Sequence, residues 1–233
     1  MFRRILDALG GPKAQPSPEQ VQGAHRPYQQ PEVNFIYNLL FCDELALFKP
    51  KDADVLSAPY LQVLFAETPD PIAISALAND PEQESRVRAL AYNWLREHQH
   101  PVPARVVLGV IVEMPLSGGL DVLAAYADGR VRYINQSGKM VIVEGAAPAI
   151  EQQARELVRS AEAVVTQIGP WHEARLAPPA ADLVRLTFLA SDGLYFGEGQ
   201  YADIRVEPMA APVIEHAEQL LMLVTEAATA PEA

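Results

Sequence analysis

Residues 106–145 decide the fold class, and they read VVLGVIVEMPLSGGLDVLAAYADGRVRYINQSGKMVIVEG. Apolar runs in this stretch are interrupted at short intervals by Gly-Gly, Asp-Gly and Ser-Gly pairs. These pairs are typical of tight reversals between neighbouring strands. Four strands within about forty residues leave no room for the long crossovers that parallel neighbours require. The stretch therefore predicts a four-stranded antiparallel meander.

The first strand of the meander and the helix after the meander predict how the sheet is covered. Residues 106–112 are apolar on both alternating faces, so this strand belongs in the middle of a sheet that is buried on both sides. Residues 148–168 keep one apolar stripe at the helical period until Gly169 and Pro170 end the helix. One face of this helix must therefore pack on the sheet.

A second hairpin and a last helix repeat this order further along the chain. Residues 183–189 predict a strand, residues 191–193 a turn, and residues 194–206 one or two more strands. Residues 212–225 predict a closing helix with an apolar stripe. Together these patterns predict an α+β fold, in which helices pack on an antiparallel sheet of about six strands.

Helical patterns precede the sheet. Residues 34–48 predict a single helix that ends before Pro50, and residues 72–77 predict a short one. The stretch Asp-Pro-Glu-Gln at residues 80–83 is typical of a capped helix start, and that helix should end before Pro101. The sheet is thus predicted to follow a helical N-terminal region.

Composition divides the chain into four parts. Residues 1–31 are predicted to be a flexible N-terminal segment and linker, because most of them have linker composition. Residues 32–101 form the mainly helical region, and residues 102–226 hold the sheet with two helices. We expect these two parts to form one domain. Residues 227–233 are predicted to be a loose tail.

Residues 1–9 form a distinct feature at the start of the chain. Their apolar side chains fall on one side of a possible short helix, although two turns alone are marginal in water. Such a segment could dock on another protein or on a membrane surface. The alternative is a frayed terminus without a role.

Composition places the chain among folded globular proteins. Of its 233 residues, 49% are hydrophobic and 21% are charged, which suffices for a sizeable core. No apolar run approaches the roughly 20 residues needed to span a bilayer, and no secretory signal pattern opens the chain. Cys42, the single cysteine, cannot close an internal disulfide. We therefore expect a cytoplasmic protein without a transmembrane segment.

The charge balance indicates which partners to expect. A formal net charge of −12 argues against general affinity for nucleic acid or anionic lipid, since both are bound through Lys and Arg. The first thirty residues do not share this acidic excess, because their basic residues outnumber the acidic ones. The basic residues are Arg3, Arg4, Lys13 and Arg26. The rest of the chain should therefore favour a basic protein partner, unless the charge serves only solubility.

The last helix carries the clearest acidic candidates. Beyond Arg205 the chain contains no Lys or Arg but five glutamates. Glu215 and Glu218 lie three apart, on the presumed outer side of the helix over residues 212–225. We expect these two side chains to contact a basic partner.

A small cationic patch is the second candidate site. Arg130 and Arg132 share one face of a strand, and Lys139 lies across the next turn. Together they could hold a carboxylate or a phosphate. The alternative is a solvated hairpin face, whose cations discourage edge pairing.

Motifs of known chemistry are absent from the sequence. It has no phosphate-binding loop and no Gly-x-Ser-x-Gly elbow, and one cysteine with scattered histidines supplies no local zinc set. We therefore predict no catalytic residue, no metal site and no cofactor. An enzyme built from dispersed carboxylates such as Glu113, Asp121 and Glu198 is the remaining catalytic alternative.

Trp171, His172 and Glu173 follow the long helix and have two interpretations. An aromatic and a titratable ring beside a carboxylate could line a pocket. The same residues could instead anchor the connector to the core.

These observations favour a non-catalytic interaction protein, an adaptor, scaffold or inhibitor, whose acidic surface binds a basic partner. The alternative is a small-molecule-binding or sensory domain. Its pocket would lie between the sheet and the helix over residues 148–168, and the cationic patch would meet an anion.

Overall fold

The computed structural model of the chain describes residues 24–49 and 58–229. Within them, six antiparallel strands form one sheet, and seven α-helices accompany it. Four of these helices precede the sheet in the chain. The predicted α+β fold is confirmed. The predicted docking segment, residues 1–9, lies outside the described residues.

The strands follow the order β4-β3-β2-β1-β5-β6 across the sheet. Strand β1 pairs with β2 on one side and with β5 on the other, so it occupies the centre, as its apolar pattern predicted. The meander over β1 to β4 is confirmed. The strand bounds are β1 Val107–Leu116, β2 Gly119–Tyr126, β3 Val131–Ile134, β4 Met140–Val143, β5 Leu183–Ala190 and β6 Gly193–Gln200.

The helices of the described residues fall before, between and after the strands. No helix among them is long and apolar enough to cross a membrane. A 3-10 turn, Leu45–Phe48, separates the first two. The helix bounds are α1 Pro31–Leu39, α2 Pro59–Leu64, α3 Pro71–Asn79, α4 Ser85–Glu97, α5 Pro148–Gln167, α6 Tyr201–Ile204 and α7 Ala211–Thr229.

Both faces of the sheet are covered. On one face, Leu157 and Val165 of α5 and Leu220 of α7 pack in a buried cluster with Val110 and Phe188 of the sheet. The predicted packing of the long helix is therefore confirmed.

The opposite face holds a second core. Here Tyr37 of α1 and Phe41 pack with Ile111, Val122 and Tyr126. A third cluster joins α3 and α4 to the start of β1. Because side chains alternate across a strand, the same strands supply both cores.

The predicted single helix over residues 34–48 is wrong. Helix α1 ends at Leu39, and Cys42 then adopts a left-handed backbone with φ 50°. A residue in this region cannot continue a right-handed helix. The chain resumes as the 3-10 turn, whose start is capped by Glu44 through a bond from the Ala46 N–H at 3.2 Å.

The predicted helix start at residues 80–83 is also wrong. Asp80 does accept the Glu82 N–H at 3.0 Å and the Gln83 side-chain amide at 3.3 Å. These bonds close a turn, and α4 begins later, at Ser85. Asp70 is the true cap nearby, since it accepts the Ile72 N–H at 3.0 Å at the start of α3.

Residues 24–30, which fall within the predicted linker, pack on the body of the protein. Tyr28 is 7% exposed and donates its hydroxyl to the Leu120 carbonyl at 2.9 Å. The Asn34 side chain accepts from the Tyr28 N–H and donates to the Tyr28 carbonyl. The approach of the chain to α1 is therefore fixed by hydrogen bonds.

Candidate functional site: an acidic pocket

A pocket of about 460 Å³ lies where five parts of the chain meet. They are Ala24, residues 43–47 after α1, the end of α4, the connector over residues 171–175, and the β5–β6 turn. Five carboxylates and two guanidinium groups line it, and we call it the acidic pocket. Its charged residues are Asp43, Glu44, Glu97, Glu173, Asp192, Arg96 and Arg175.

Arg175 joins the connector to the region after α1. It donates from Nε to Asp43 Oδ2 at 2.8 Å and from Nη2 to Asn38 Oδ1 at 2.7 Å. Its guanidinium lies 3.9 Å from the centre of the Phe41 ring, a cation–π contact. The Arg175 side chain is only 7% exposed, so its charge serves the fold.

Arg96 holds the end of α4 to the β5–β6 turn. Its Nη1 donates to the Ser191 carbonyl and its Nη2 to Asn93 Oδ1, both at 2.8 Å. Asn93 in turn donates to Glu97 Oε1 at 3.3 Å. Burial lowers the pKa of Arg96, and the charges of Asp192 and Glu97 oppose that change.

The carboxylates of the pocket affect one another. Burial raises the pKa of Glu97, and the neighbouring charge of Glu44 raises it further. Like charges at close range disfavour ionisation, whereas a bound cation would favour it. The pocket is therefore suited electrostatically to a positively charged group.

Two buried carboxylate oxygens in the pocket wall have no donor within the described residues. Asp43 Oδ1 and Asp192 Oδ1 accept no hydrogen bond there, although Asp192 Oδ2 accepts from the Tyr195 hydroxyl at 2.9 Å. A buried acceptor without a partner costs about 1–3 kcal/mol.

The connector forms the aromatic side of the pocket. Trp171 donates its backbone N–H to the Leu194 carbonyl at 2.7 Å and its indole N–H to the Ala174 carbonyl at 3.0 Å. Its ring meets Phe196 edge-on at 5.1 Å. Trp171 thus anchors the connector and also lines a pocket, so both interpretations of this stretch apply.

The surroundings of the three predicted cations differ from one another. Arg130 pairs with Asp128 at 3.0 Å and with Glu84 at 3.3 Å. Arg132 is 6% exposed, and its guanidinium donates to the Val131 and Val143 carbonyls and pairs with Glu144.

The third cation lies just outside the strand pair. Arg132 lies opposite Ile142 in β4, whereas Lys139 directly precedes β4, is exposed, and donates its N–H to Asn135 Oδ1 at 3.0 Å. A joint anion-binding role for Arg130, Arg132 and Lys139 stays a prediction.

The two predicted acidic residues of α7 differ in their surroundings. Glu215 is exposed. Glu218 accepts the Tyr201 hydroxyl and lies 3.5 Å from Arg205, so part of its charge is balanced within the protein. Binding of a basic partner by these two side chains also stays a prediction.

The dispersed carboxylates that could have formed a catalytic site hold the fold together. Glu113, Arg185 and Glu198 lie side by side across β1, β5 and β6. Arg185 donates to Glu198 at 2.8 and 2.5 Å and lies 4.0 Å from Glu113. Asp121 instead accepts the Tyr133 hydroxyl at 2.7 Å. Each carboxylate therefore has a structural partner.

Cys42 shows the properties of a packing residue. It is 3% exposed, and burial raises the pKa of its thiol to about 11, although nearby Arg86 acts in the opposite direction. A thiol with such a pKa is a poor nucleophile near neutral pH. In the described part of the chain, no group of three or more His, Cys, Asp or Glu side chains is arranged to hold a metal ion.

Most of the acidic pocket was missed by sequence reasoning. Asp43 and Glu44 belong to no recognisable motif, and Asp192 was predicted only as part of a turn. No linear spacing links positions 43, 97 and 192, because the sheet and α4 bring them together. The one usable signal was Trp171 with its polar neighbours.

The acidic pocket has the dimensions of a binding site. Its volume falls within the range of roughly 300–1,000 Å³ that ligand pockets occupy. Its walls offer carboxylates and an indole ring, which suit an ammonium or guanidinium group. Comparison with protein-family models found no match for the chain, and comparison with curated proteins found no relative.

Proposed function

We propose that this protein is a non-catalytic binding protein, and that it recognises a basic partner protein by receiving Lys or Arg side chains in the acidic pocket. The observation that carries the proposal is the excess of five carboxylates over two guanidinium groups around one concave site. The chain as a whole has a net charge of −12, which would attract the same partner from a distance.

Internal bonds support a role in recognition, because they leave the pocket negatively charged. Arg175 is committed to Asp43, Asn38 and the Phe41 ring. Arg96 is committed to a backbone carbonyl and to Asn93. An incoming cation therefore meets a rigid arrangement in which Glu44, Glu97 and Glu173 supply the recognition.

Several contacts are required for useful affinity. An exposed ion pair contributes only about 0.2–1 kcal/mol, because solvent and salt screen it. A concave site does better, since it removes water from the incoming group and presents several carboxylates at once. This favours a pocket over a flat acidic surface as the anchor point for one or two basic side chains.

A small cationic molecule is the second candidate ligand. The pocket volume is large enough for one, and its chemistry does not distinguish a free amine from a lysine side chain. The negative charge of the chain extends beyond the pocket. It favours the protein partner, because a small molecule would contact only the charges within the pocket.

A peptide-binding experiment tests the proposal. The probe is a fluorescein-labelled eight-residue peptide of alternating Arg and Ser, and its fluorescence anisotropy reports binding. We expect the double variant Glu97→Gln, Glu173→Gln to bind it at least about tenfold more weakly than the wild type, a difference of about 1.4 kcal/mol. Gln keeps the size of Glu and can still accept the Asn93 amide.

A matched control separates the pocket from net charge. Glu162 on α5 and Glu226 on α7 are exposed, so Glu162→Gln, Glu226→Gln removes the same charge elsewhere. Equal weakening by both double variants would contradict a role for the pocket. Calorimetry with agmatine covers the second candidate, since tight binding of this free guanidinium compound would favour the small molecule.

A further inference from the structure

We propose that strand β4 is the contact surface of a homodimer, in which it pairs antiparallel with β4 of a second copy of this chain. The two sheets would then join edge to edge into one continuous sheet, with six strands from each copy. No residue of β4 lines the acidic pocket, so this inference goes beyond the proposed function and does not depend on it.

The backbone of β4 is available for pairing. This strand lies at one edge of the sheet, next to β3. In the hairpin that joins the two strands, the Asn135 N–H donates to the Lys139 carbonyl at 2.9 Å, so the odd-numbered residues of β4 direct their backbone groups toward β3. Met140 and Ile142 direct theirs outward, and no hydrogen bond from the described residues reaches them. The edge therefore offers two N–H groups and two carbonyl groups to another strand.

The side chains of β4 favour pairing with another strand. All four are apolar and partly exposed, namely Met140, Val141, Ile142 and Val143. The strand contains no charge, no Pro and no bulge, which are the features that commonly keep edge strands apart. The neighbouring cations leave it uncharged, because Arg132 belongs to β3 and Lys139 precedes β4. An exposed apolar edge of this kind is typical of a surface that pairs with another chain.

The opposite edge of the sheet, β6, differs in each of these respects. There the Trp171 N–H already donates to the Leu194 carbonyl at 2.7 Å. Glu198 places a charge within the strand, and Gly197 and Gly199 have low β-propensity. Self-pairing is therefore expected at β4 and not at β6.

One register satisfies both copies at once. If Ile142 lies opposite Ile142 of the second copy, the outward N–H and carbonyl of each meet those of the other. Val141 then lies opposite Val143 of the second copy, which is an apolar pair across the strands. Lys139 falls one position from Glu144 of the second copy, so opposite charges are neighbours at both ends of the pairing.

The dimer should be weak, because the pairing is short. Four residues from each copy bury less surface than the roughly 1,200–2,000 Å² of a stable interface. Each chain also has a net charge of −12, and repulsion between two such chains opposes association. We therefore expect a dissociation constant of roughly 10–100 μM. Added salt should strengthen the dimer, since it screens the repulsion.

Sedimentation velocity at protein concentrations around this value tests the dimer. Ile142→Lys would place two lysines directly opposite one another, and like charges so placed are destabilising. The matched control, Ile72→Lys, makes the same change of residue and charge on α3, at a side chain that is 80% exposed. We expect the wild type and the control to dimerise alike, and the dissociation constant of Ile142→Lys to rise at least about tenfold.

Cysteine cross-linking tests the register with a smaller change to the strand. In Ile142→Cys the two new thiols belong to residues whose Cα atoms would lie about 5.5 Å apart, a distance that a disulfide spans. In Val141→Cys, the control, the two thiols would be displaced by two residues. Native Cys42 is 3% exposed and should not cross-link. After incubation with oxidised glutathione, we expect a disulfide-linked dimer of Ile142→Cys on a non-reducing gel, and little of Val141→Cys.

The outcomes decide whether β4 is the contact surface. A wild type that remains monomeric at every concentration would overturn the dimer. Equal dimerisation of Ile142→Lys and Ile72→Lys, or stronger cross-linking at residue 141 than at residue 142, would overturn the pairing of β4 centred on Ile142. Neither measurement uses the basic peptide, so failure of the dimer and failure of the proposed function are distinguishable.

Discussion

Arg175 and Asp43 lie 132 positions apart in the chain, and the Arg175 Nε donates to Asp43 Oδ2 at 2.8 Å. Their side chains are 7% and 20% exposed, so this ion pair is largely shielded from water. It fastens the connector after α5 to the stretch after α1, on the opposite side of the sheet from α5. The wall of the acidic pocket depends on this link.

Loss of this pair should destabilise the protein. Asp43→Ala leaves the buried Arg175 guanidinium without its carboxylate, and we expect the free energy of unfolding to fall by about 3 kcal/mol. The matched control is Glu156→Ala, which removes the half-buried partner of exposed Arg159 and should cost less than about 1 kcal/mol. Urea unfolding monitored by circular dichroism compares them. Similar losses in both variants would show that the pair has no special structural role.

The helix–sheet interface gives a second prediction. Leu157 of α5 is fully buried, whereas Arg159, two positions on, is exposed. Leu157→Asp places a carboxylate in the core, and we expect a loss of at least about 4 kcal/mol. Arg159→Asp, the control on the same helix, should leave the thermal midpoint within a few degrees. An unchanged midpoint in the Leu157 variant would contradict the packing of α5.

Glu113 should make stability depend on pH. It is 1% exposed, and burial raises the pKa of its carboxyl from the ordinary value of 4.5, although the Tyr37 hydroxyl bond and Arg185 oppose the rise. A carboxyl whose pKa is raised by folding binds protons more readily in the folded state. Its favourable contribution is therefore complete below the unfolded-state pKa and is lost as pH rises through the folded-state pKa.

Glu113→Gln tests this dependence. The Gln side chain can still accept from the Tyr37 hydroxyl, which bonds Glu113 Oε1 at 2.6 Å, but it carries no charge. We expect the free energy of unfolding of the variant, minus that of the wild type, to increase as pH rises from 4 to 8. Urea titrations at several pH values measure the difference, with exposed Glu162→Gln as control. A difference independent of pH would refute the prediction.

Cys42 should be unreactive in the folded protein. Its thiol is buried and its pKa is raised to about 11, so little thiolate exists at pH 8. Because this is the only cysteine, labelling with Ellman's reagent reports on one site. We expect slow labelling in buffer and rapid labelling of one equivalent in 6 M guanidinium chloride. Equally rapid labelling in both would indicate that the stretch after α1 opens readily.

The sheet could be predicted from the sequence because its determinants are local. The Asp-Gly pair at residues 128–129 fixes the β2–β3 hairpin, and the doubly apolar pattern of residues 106–112 places β1 at the centre. The helical region was harder to predict. At Cys42 the left-handed backbone interrupts an apolar pattern that continues through it, and at Asp80 a capping residue closes a turn instead of starting a helix.

The acidic pocket could not be predicted, because its charges meet only after the sheet forms. Asp192 lies in the β5–β6 turn, and hydrogen bonds through Asn93 and Arg96 link Glu97 at the end of α4 to the carbonyl of the preceding residue, Ser191. Strand patterns do reveal which side chains share a face, but Arg130 and Arg132 also show the limit of such reasoning. Arg130 pairs with Glu84 and Asp128, and Arg132 pairs with Glu144. The strand pattern does not specify these partners.

Recognition by the acidic pocket and recognition by the acidic helix α7 predict different binding kinetics. Glu215 is exposed, while Glu97 lies in the pocket. A charge outside the contact area changes chiefly the association rate, whereas a charge within it changes the dissociation rate. We therefore expect Glu215→Lys to slow association of the labelled Arg-Ser peptide by about twofold at low salt and to have no effect at 0.5 M salt, where screening is strong. Glu97→Lys should speed dissociation at both salt concentrations.

Glu215 is the better residue of its pair for this test. Reversing Glu218 as well would break its contacts with Tyr201 and Arg205 and so mix a structural change with an electrostatic one. Stopped-flow fluorescence with the labelled peptide measures both rates in each variant. If Glu215→Lys sped dissociation at high salt while Glu97→Lys had no effect, recognition would lie on α7 and the pocket would lose its proposed role. If neither rate responded to salt or to either reversal, recognition by acidic residues would be wrong altogether.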